Sequence, residues 1–170
     1  MRELILGGVR SGKSRLAEQH AQDSGLPVTY IATATCEDAE MRARIAHHQA
    51  QRPGHWQLAE EPHALAAALQ RHAAANHCVL VDCLTLWLTN LLCLQDEPRL
   101  QTEVHSLLEM LPTLPGHIIL VSNETGMGIV PLGELTRRYC DEAGRLHQAL
   151  AQSCERVILT VAGLPLHLKG

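Results

Sequence analysis

The octapeptide GGVRSGKS at residues 7–14 constrains this chain more than any other stretch. Its spacing, Gly7-x4-Gly12-Lys13-Ser14, is a complete phosphate-binding loop pattern. Gly7, Gly8 and Gly12 admit backbone conformations that turn N–H groups inward around an anion, with Val9, Arg10 and Ser11 completing the turn. The Lys13 ammonium reaches toward β- and γ-phosphates, and the Ser14 hydroxyl is of the type that ligates Mg²⁺. A helix beginning here adds its positive end. The flanks agree with that demand. Residues 3–6 read as a buried strand, and residues 15–21 as a helix that stops near Gly25-Leu26-Pro27. Lys13 is one of only two lysines, the other being Lys169; the remaining cations are twelve arginines. A generic surface lysine is a poor account of that placement.

The rest of the chain alternates in the same way. Apolar runs at 28–33, 78–82, 117–122 and 157–162 read as strands, with a short final strand near Leu166. Helical stretches are expected at about 38–51, 63–76, 84–94, 99–111 and 133–153. Continuous Val/Ile/Leu strands between helices indicate an α/β fold: a mostly parallel sheet with helices on both faces. No repeat or long linker divides the 170 residues, so one domain over 1–170 is expected. Ligands of such sheets bind outside the carboxyl ends of the strands. That rule marks four places: 7–14, 33–36, Asp82 and the loop 123–128.

Composition narrows the function classes. A net charge of −4 and the absence of Phe, with only two Tyr and two Trp, argue against a nucleic-acid binder. The most apolar stretch, 84–94, is too short to span a bilayer and carries Thr85, Thr89 and Asn90. The six cysteines contain no CxxC pair, and the eleven histidines no HExxH spacing, so no zinc site is expected. No signal peptide is visible, and buried free thiols fit a reducing cytoplasm.

Three features outside the loop remain open on residue type alone. Asp82 ends an apolar strand, as does the acid that holds Mg²⁺ in phosphate-loop enzymes; an N-cap for the following helix is the other reading. On a helix Met41 and Ile45 share one face, His48 flanks it, and His47 points away. His47 is therefore either a solvated side chain or one offered to a ligand. The loop 123–128 carries two glycines and Glu124, either as a plain connection or as a close approach to substrate.

Taken together, GGVRSGKSRLAE, YIATAT, RIAHHQAQRPGHW, VDCLTLWLTNLL and SNETGMGIVP resemble the bifunctional adenosylcobinamide kinase / adenosylcobinamide-phosphate guanylyltransferase family, essentially end to end. The resemblance implies a RecA-like P-loop NTPase sheet and a propeller-like homotrimer. It implies phosphorylation of adenosylcobinamide with ATP or GTP. Transfer of GMP from GTP to the product follows, through a covalent GMP-histidine that falls on His47. Nucleotide contacts implied are Gly7 to Ser14, Thr33, Ala34 and Thr35, His48, Gln49, Ala50 and Gln51, Glu60 and Asp82, with Ser14 and Asp82 on Mg²⁺. Two rival classes are a single-function P-loop metabolite kinase, which needs no exposed histidine beside the nucleotide, and a GTP switch. The switch reads guanine with Asn-Lys-x-Asp, which two lysines at 13 and 169 cannot supply.

Overall fold

The computed structural model describes residues 1–35 and 53–170. The strands are β1 (Arg2–Gly7), β2 (Val28–Ala32), β3 (Gln57–Glu60), β4 (Cys78–Asp82), β5 (His117–Asn123), β6 (Arg156–Val161) and β7 (Leu164–Lys169). The described helices are α1 (Lys13–Asp23), α2 (Leu65–His72), α3 (Leu84–Cys93), α4 (Glu97–Met110) and α5 (Glu134–Ser153). One sheet carries all seven strands in the order β3-β2-β4-β5-β1-β6-β7. Only β7 is antiparallel to its neighbour.

Strand periodicity divides the core. Leu4, Leu6, Val79, Val81, Ile118, Leu120 and Val157 face the layer built by α2, α3, α4 and α5. Ile5, Leu80, Ile119 and Val121 face Ala17 and Ala21 of α1 on the opposite side. Central strands are thus buried on both faces, which is why they read as unbroken apolar runs. The connection after β1 leaves by one face and that after β5 by the other. Between these two neighbouring strands a crevice opens at the carboxyl edge, where ligands of open α/β sheets bind.

Differences from the sequence expectation have local causes. The helix expected at 63–76 is shorter, Leu65–His72. Glu61 Oε1 accepts from the backbone N–H groups of His63 (3.1 Å) and Ala64 (2.9 Å), holding the entry open, and Ala73 is extended. Strand β3 was not expected; it lies at the sheet edge and only Ala59 of its four residues is not exposed. The final strand is longer than expected. Ala162 (φ +51) and Gly163 (φ +80) form a two-residue turn of the kind that returns a strand directly on its neighbour. The helix expected at 38–51 falls outside the described residues.

At the amino ends of the strands the fold contains a buried carboxylate. Glu3 is fully buried. Its oxygens meet His20 Nδ1 at 2.8 Å, Arg156 Nη1 at 2.7 Å and His117 Nε2 at 3.6 Å. Burial alone would raise its pKa, but the His117 and His20 side chains outweigh that and hold it at about 2, against 4.5 unperturbed. A depressed carboxylate stabilises the fold fully above its unfolded value and loses that effect as pH falls toward its folded value. The window here is from 4.5 down to about 2, and the gap corresponds to about 3 kcal/mol. Urea unfolding of wild type should therefore weaken steeply through that window. Glu3→Gln should lose about 3–5 kcal/mol near neutral pH, by uncoupling buried charges, and show a shallower slope below pH 4.5. Equal slopes in the two proteins would contradict this account.

Candidate nucleotide-binding site

β1 runs straight into the loop 7–14. Gly12 has φ +97, and a Cβ there would stand 3.1 Å from the Cα of Gly163. At Gly7 a Cβ would lie 2.7 Å from the carbonyl oxygen of Thr160 and 2.3 Å from Ser11 Oγ. Both positions therefore require glycine. The loop is held by Ser11 N–H to Gly8 O (3.2 Å), and from outside by Gly163 N–H to Ser11 O (2.8 Å) and Glu124 N–H to Gly7 O (3.0 Å). Val9 and Arg10 project to solvent, whereas Ser11 is buried.

Lys13 folds back over this loop and its Nζ donates to Gly8 O at 3.2 Å. Burial lowers its pKa, while Asp82 first and Cys83 second pull it back up. The ammonium thus stands in the field of the Asp82 carboxylate, at the carboxyl end of β4. The N-cap of α3 is Cys83, with no side-chain cap bond. Asp82 accordingly does not serve as that helix's cap, one of the two readings the sequence left open. The Asp82–Cys83 peptide is cis. Ser14 stands half-buried in the first turn of α1. Asp82 and Ser14 offer a carboxylate and a hydroxyl, hard oxygen donors of the kind Mg²⁺ takes.

The remaining expected residues divide. Thr33 is fully buried, and its hydroxyl donates to Cys83 O at 2.7 Å and accepts from Cys83 N at 3.0 Å. Its side chain clamps β2 to the end of β4, and its carbonyl accepts from Asn90 Nδ2 at 2.8 Å. Ala34 and Thr35 follow at the carboxyl edge, half-buried. Glu60 ends β3 in register with Ala32 and is exposed. It lies on the same edge as the loop but four strands from β1, about 19 Å at normal strand spacing. His47, His48, Gln49, Ala50 and Gln51 lie outside the described residues.

The sequence singled out neither Thr85 nor Asn123 as individual site residues. Asn123 ends β5 in register with Gly7. Its N–H donates to Thr85 Oγ1 at 2.7 Å, while its Oδ1 is buried without a hydrogen-bond partner. The only signal in the sequence was its place at a strand's carboxyl end. Beyond it the loop exposes Met127, Ile129, Val130 and Leu132. A cleft of about 190 Å³ lies beside it, lined by Thr89, Leu92, Cys93, Leu135, Thr136 and Tyr139.

Comparison with known proteins follows the same outline. Residues 3–168 match the family described as cobinamide kinase / cobinamide phosphate guanyltransferase. A bifunctional adenosylcobalamin biosynthesis protein CobP of Pseudomonas aeruginosa is 67% identical over 170 residues, covering 100% of this chain and 98% of the relative. A bifunctional CobU of Escherichia coli is 39% identical over 179 residues, covering 98% of each chain. Among solved structures, the RadB recombinase superposes with TM-score 0.53 at 18% identity, over 93% of this chain and 73% of that one. A Pyrococcus horikoshii OT3 protein gives TM-score 0.55 at 11% identity, over 99% of this chain and 86% of that one. At those identities the two structures speak for the fold alone, a recombinase-like phosphate-loop sheet.

The loop geometry sets a test that needs no knowledge of the acceptor. Gly12→Ala places a side chain at φ +97 and against Gly163. The backbone strain should cost about 1–2 kcal/mol. Displacement of the loop should weaken ATP and GTP binding by about tenfold or more, a loss of roughly 1.4 kcal/mol. Equilibrium dialysis beside a thermal melt reads both. Unchanged nucleotide affinity in a folded Gly12→Ala protein would show that the loop is not the phosphate seat.

Proposed function

The chain belongs to the cobinamide kinase / cobinamide phosphate guanyltransferase family, and from that premise we propose how its own residues carry the two reactions. The enzyme phosphorylates adenosylcobinamide and transfers GMP to adenosylcobinamide phosphate in adenosylcobalamin biosynthesis. ATP or GTP supplies the phosphoryl group and GTP the guanylyl group. The observation that carries the assignment of roles is the Lys13 ammonium, bent over Gly8 O at 3.2 Å and facing Asp82.

In the first reaction the hydroxyl oxygen of adenosylcobinamide bonds to the γ-phosphorus. The bond from that phosphorus to the bridging oxygen breaks, and a nucleoside diphosphate leaves. Loop N–H groups and Lys13 neutralise the charge spread over the phosphoryl oxygens. Ser14 and Asp82 would hold Mg²⁺, which supplies charge neutralisation at the phosphates. In the second reaction we assign His47 as nucleophile. A neutral imidazole nitrogen bonds to the α-phosphorus of GTP, the α–β bridge breaks, and pyrophosphate leaves. The phosphate of the first product then displaces the imidazole, giving adenosylcobinamide-GDP. Thr33 to Thr35, His48 to Gln51 and Glu60 are assigned to the nucleotide by the family pattern. For Thr33 the hydroxyl and the carbonyl oxygen are already engaged, by Cys83 and by Asn90.

One catalytic domain over 1–170, a cytoplasmic location and a homotrimer complete the proposal. Among the described residues no helix is long and apolar enough to cross a membrane. Leu164, Leu166 and Leu168 of the edge strand β7 are each more than half exposed, which supports contact with further copies of the chain.

Two variants separate these roles. Lys13→Ala should abolish phosphorylation and guanylyl transfer together. His47→Asn should abolish guanylyl transfer by about 10³-fold or more, the scale for losing a nucleophile, and leave phosphorylation of adenosylcobinamide. With GTP labelled at the α-phosphate, wild type should retain label through denaturing electrophoresis, in an acid-labile, base-stable bond. An unlabelled wild type, or a labelled His47→Asn protein, would refute the covalent assignment.

A further inference from the structure

A buried histidine lies behind the phosphate loop. His147, on the inner face of α5, is only 7% exposed. Its Nε2 lies 2.7 Å from Ser122 Oγ, and its Nδ1 lies 3.9 Å from Oε2 of Glu124. Ser122 is buried and stands in register with Leu6, the residue before the loop. Glu124 follows β5 and is tied to the loop through its N–H bond to Gly7 O. Its Oε1 accepts from Gly126 N–H at 2.5 Å. One carboxylate oxygen is therefore fixed by backbone, and the other is turned toward the imidazole. The whole group stands at the carboxyl ends of β1 and β5, the sheet edge that also carries the phosphate loop and Asp82.

A Ser122 hydroxyl that donates to Nε2 leaves the ring proton on Nδ1, the nitrogen facing Glu124. Burial lowers the His147 pKa and Glu124 pulls it back up, so burial favours the neutral ring. Tyr139, two turns before His147 on α5, has Cys83, Cys140 and Glu124 around it. Burial pushes the Tyr139 phenol to about 12 and the Cys83 thiol to about 11. Glu124 is the charged group that acts on the ring. Catalytic hydrogen bonds that are long without substrate commonly tighten in the reactive complex.

We propose that Glu124 accepts the proton of the hydroxyl phosphorylated in the kinase reaction, and that His147, braced by Ser122, is the positioning residue that holds its carboxylate. This rests on the kinase reading above. As the substrate oxygen bonds to the γ-phosphorus and the nucleoside diphosphate departs, the hydroxyl proton passes to the Glu124 carboxylate and from there to solvent. Attack of a neutral imidazole on GTP yields no hydroxyl proton, so guanylyl transfer makes no call on this group.

The test measures both half-reactions in the whole 170-residue chain at a fixed pH near neutrality. His147→Leu should lower kcat for phosphorylation by about tenfold or more, within the range for general-base assistance, with KM for ATP within about twofold. Covalent labelling from α-labelled GTP should stay at the wild-type level. His147→Asn, whose amide nitrogen falls near the Nδ1 position, should recover much of the kcat, and His147→Gln less. Should His147→Leu fail to fold, Ser122→Ala and His147→Asn against His147→Gln carry the same comparison. A kcat within about twofold of wild type, or parallel loss of both half-reactions, overturns the role of His147. Wild type that phosphorylates no adenosylcobinamide overturns the kinase reading itself.

Discussion

The phosphate loop depends on two hydrogen bonds from outside it: Gly163 N–H to Ser11 O at 2.8 Å and Glu124 N–H to Gly7 O at 3.0 Å. A glycine-rich loop has many conformations available, and ordering it costs more entropy than ordering other residues. Here the neighbouring strands take up two of its carbonyls, one from each side of β1. With carbonyls engaged outward, the N–H groups remain for an anion. The ordering cost is borne by the fold before any nucleotide arrives, which is what preorganised electrostatic catalysis requires. The β6–β7 turn then has a role beyond ending the sheet: a Cβ at Gly12 would stand 3.1 Å from the Cα of Gly163, so the turn keeps position 12 a glycine.

Much of this was legible in the chain. The strands flanking the loop, the alternation with helices and the place of Asp82 followed from apolar runs, because strands buried on both faces must be continuously apolar. Gln57–Glu60 escaped because an exposed edge strand needs no such run. The extent of β7 depended on Ala162 accepting φ +51, a conformation that alanine does not advertise. The N-cap reading of Asp82 was removed only by the backbone: the cap position is Cys83, one residue later, and it makes no side-chain cap bond.

The group around Glu124 was legible only in part. Its position at a strand's carboxyl end marked it, but nothing in the sequence linked it to His147, more than twenty residues away in the long helix. His147 reads on paper as one more histidine in an amphipathic helix. Its pairing with Ser122 arises because α5 packs back over β5 and β1, and packing, not periodicity, selects which turn of the helix meets the loop. Thr33 carries the converse lesson. It stands where a ligand contact was expected, yet its hydroxyl closes the β2–β4 seam. Side chains at the carboxyl edge serve the sheet as well as the ligand.

The clamped loop also bears on how one phosphate seat can support attack at two different phosphorus atoms. Phosphorylation breaks the bond at the γ-phosphorus and guanylyl transfer the bond at the α-phosphorus. Gly7 and Ser11 are held through their carbonyls, from the end of β5 and from the β6–β7 turn. The loop is therefore the fixed element. What is left to differ between the reactions is the seating of the nucleotide along the carboxyl edge, which extends about 19 Å from β1 to Glu60 on β3, and the approach of each nucleophile. In the role proposed for Glu124, a carboxylate at the carboxyl ends of β1 and β5 would serve a hydroxyl arriving at the γ end. It lies away from the β2–β3 edge, to which Thr33 to Thr35 and Glu60 would draw a nucleoside. Separation of the two chemistries along one sheet edge requires no second phosphate loop.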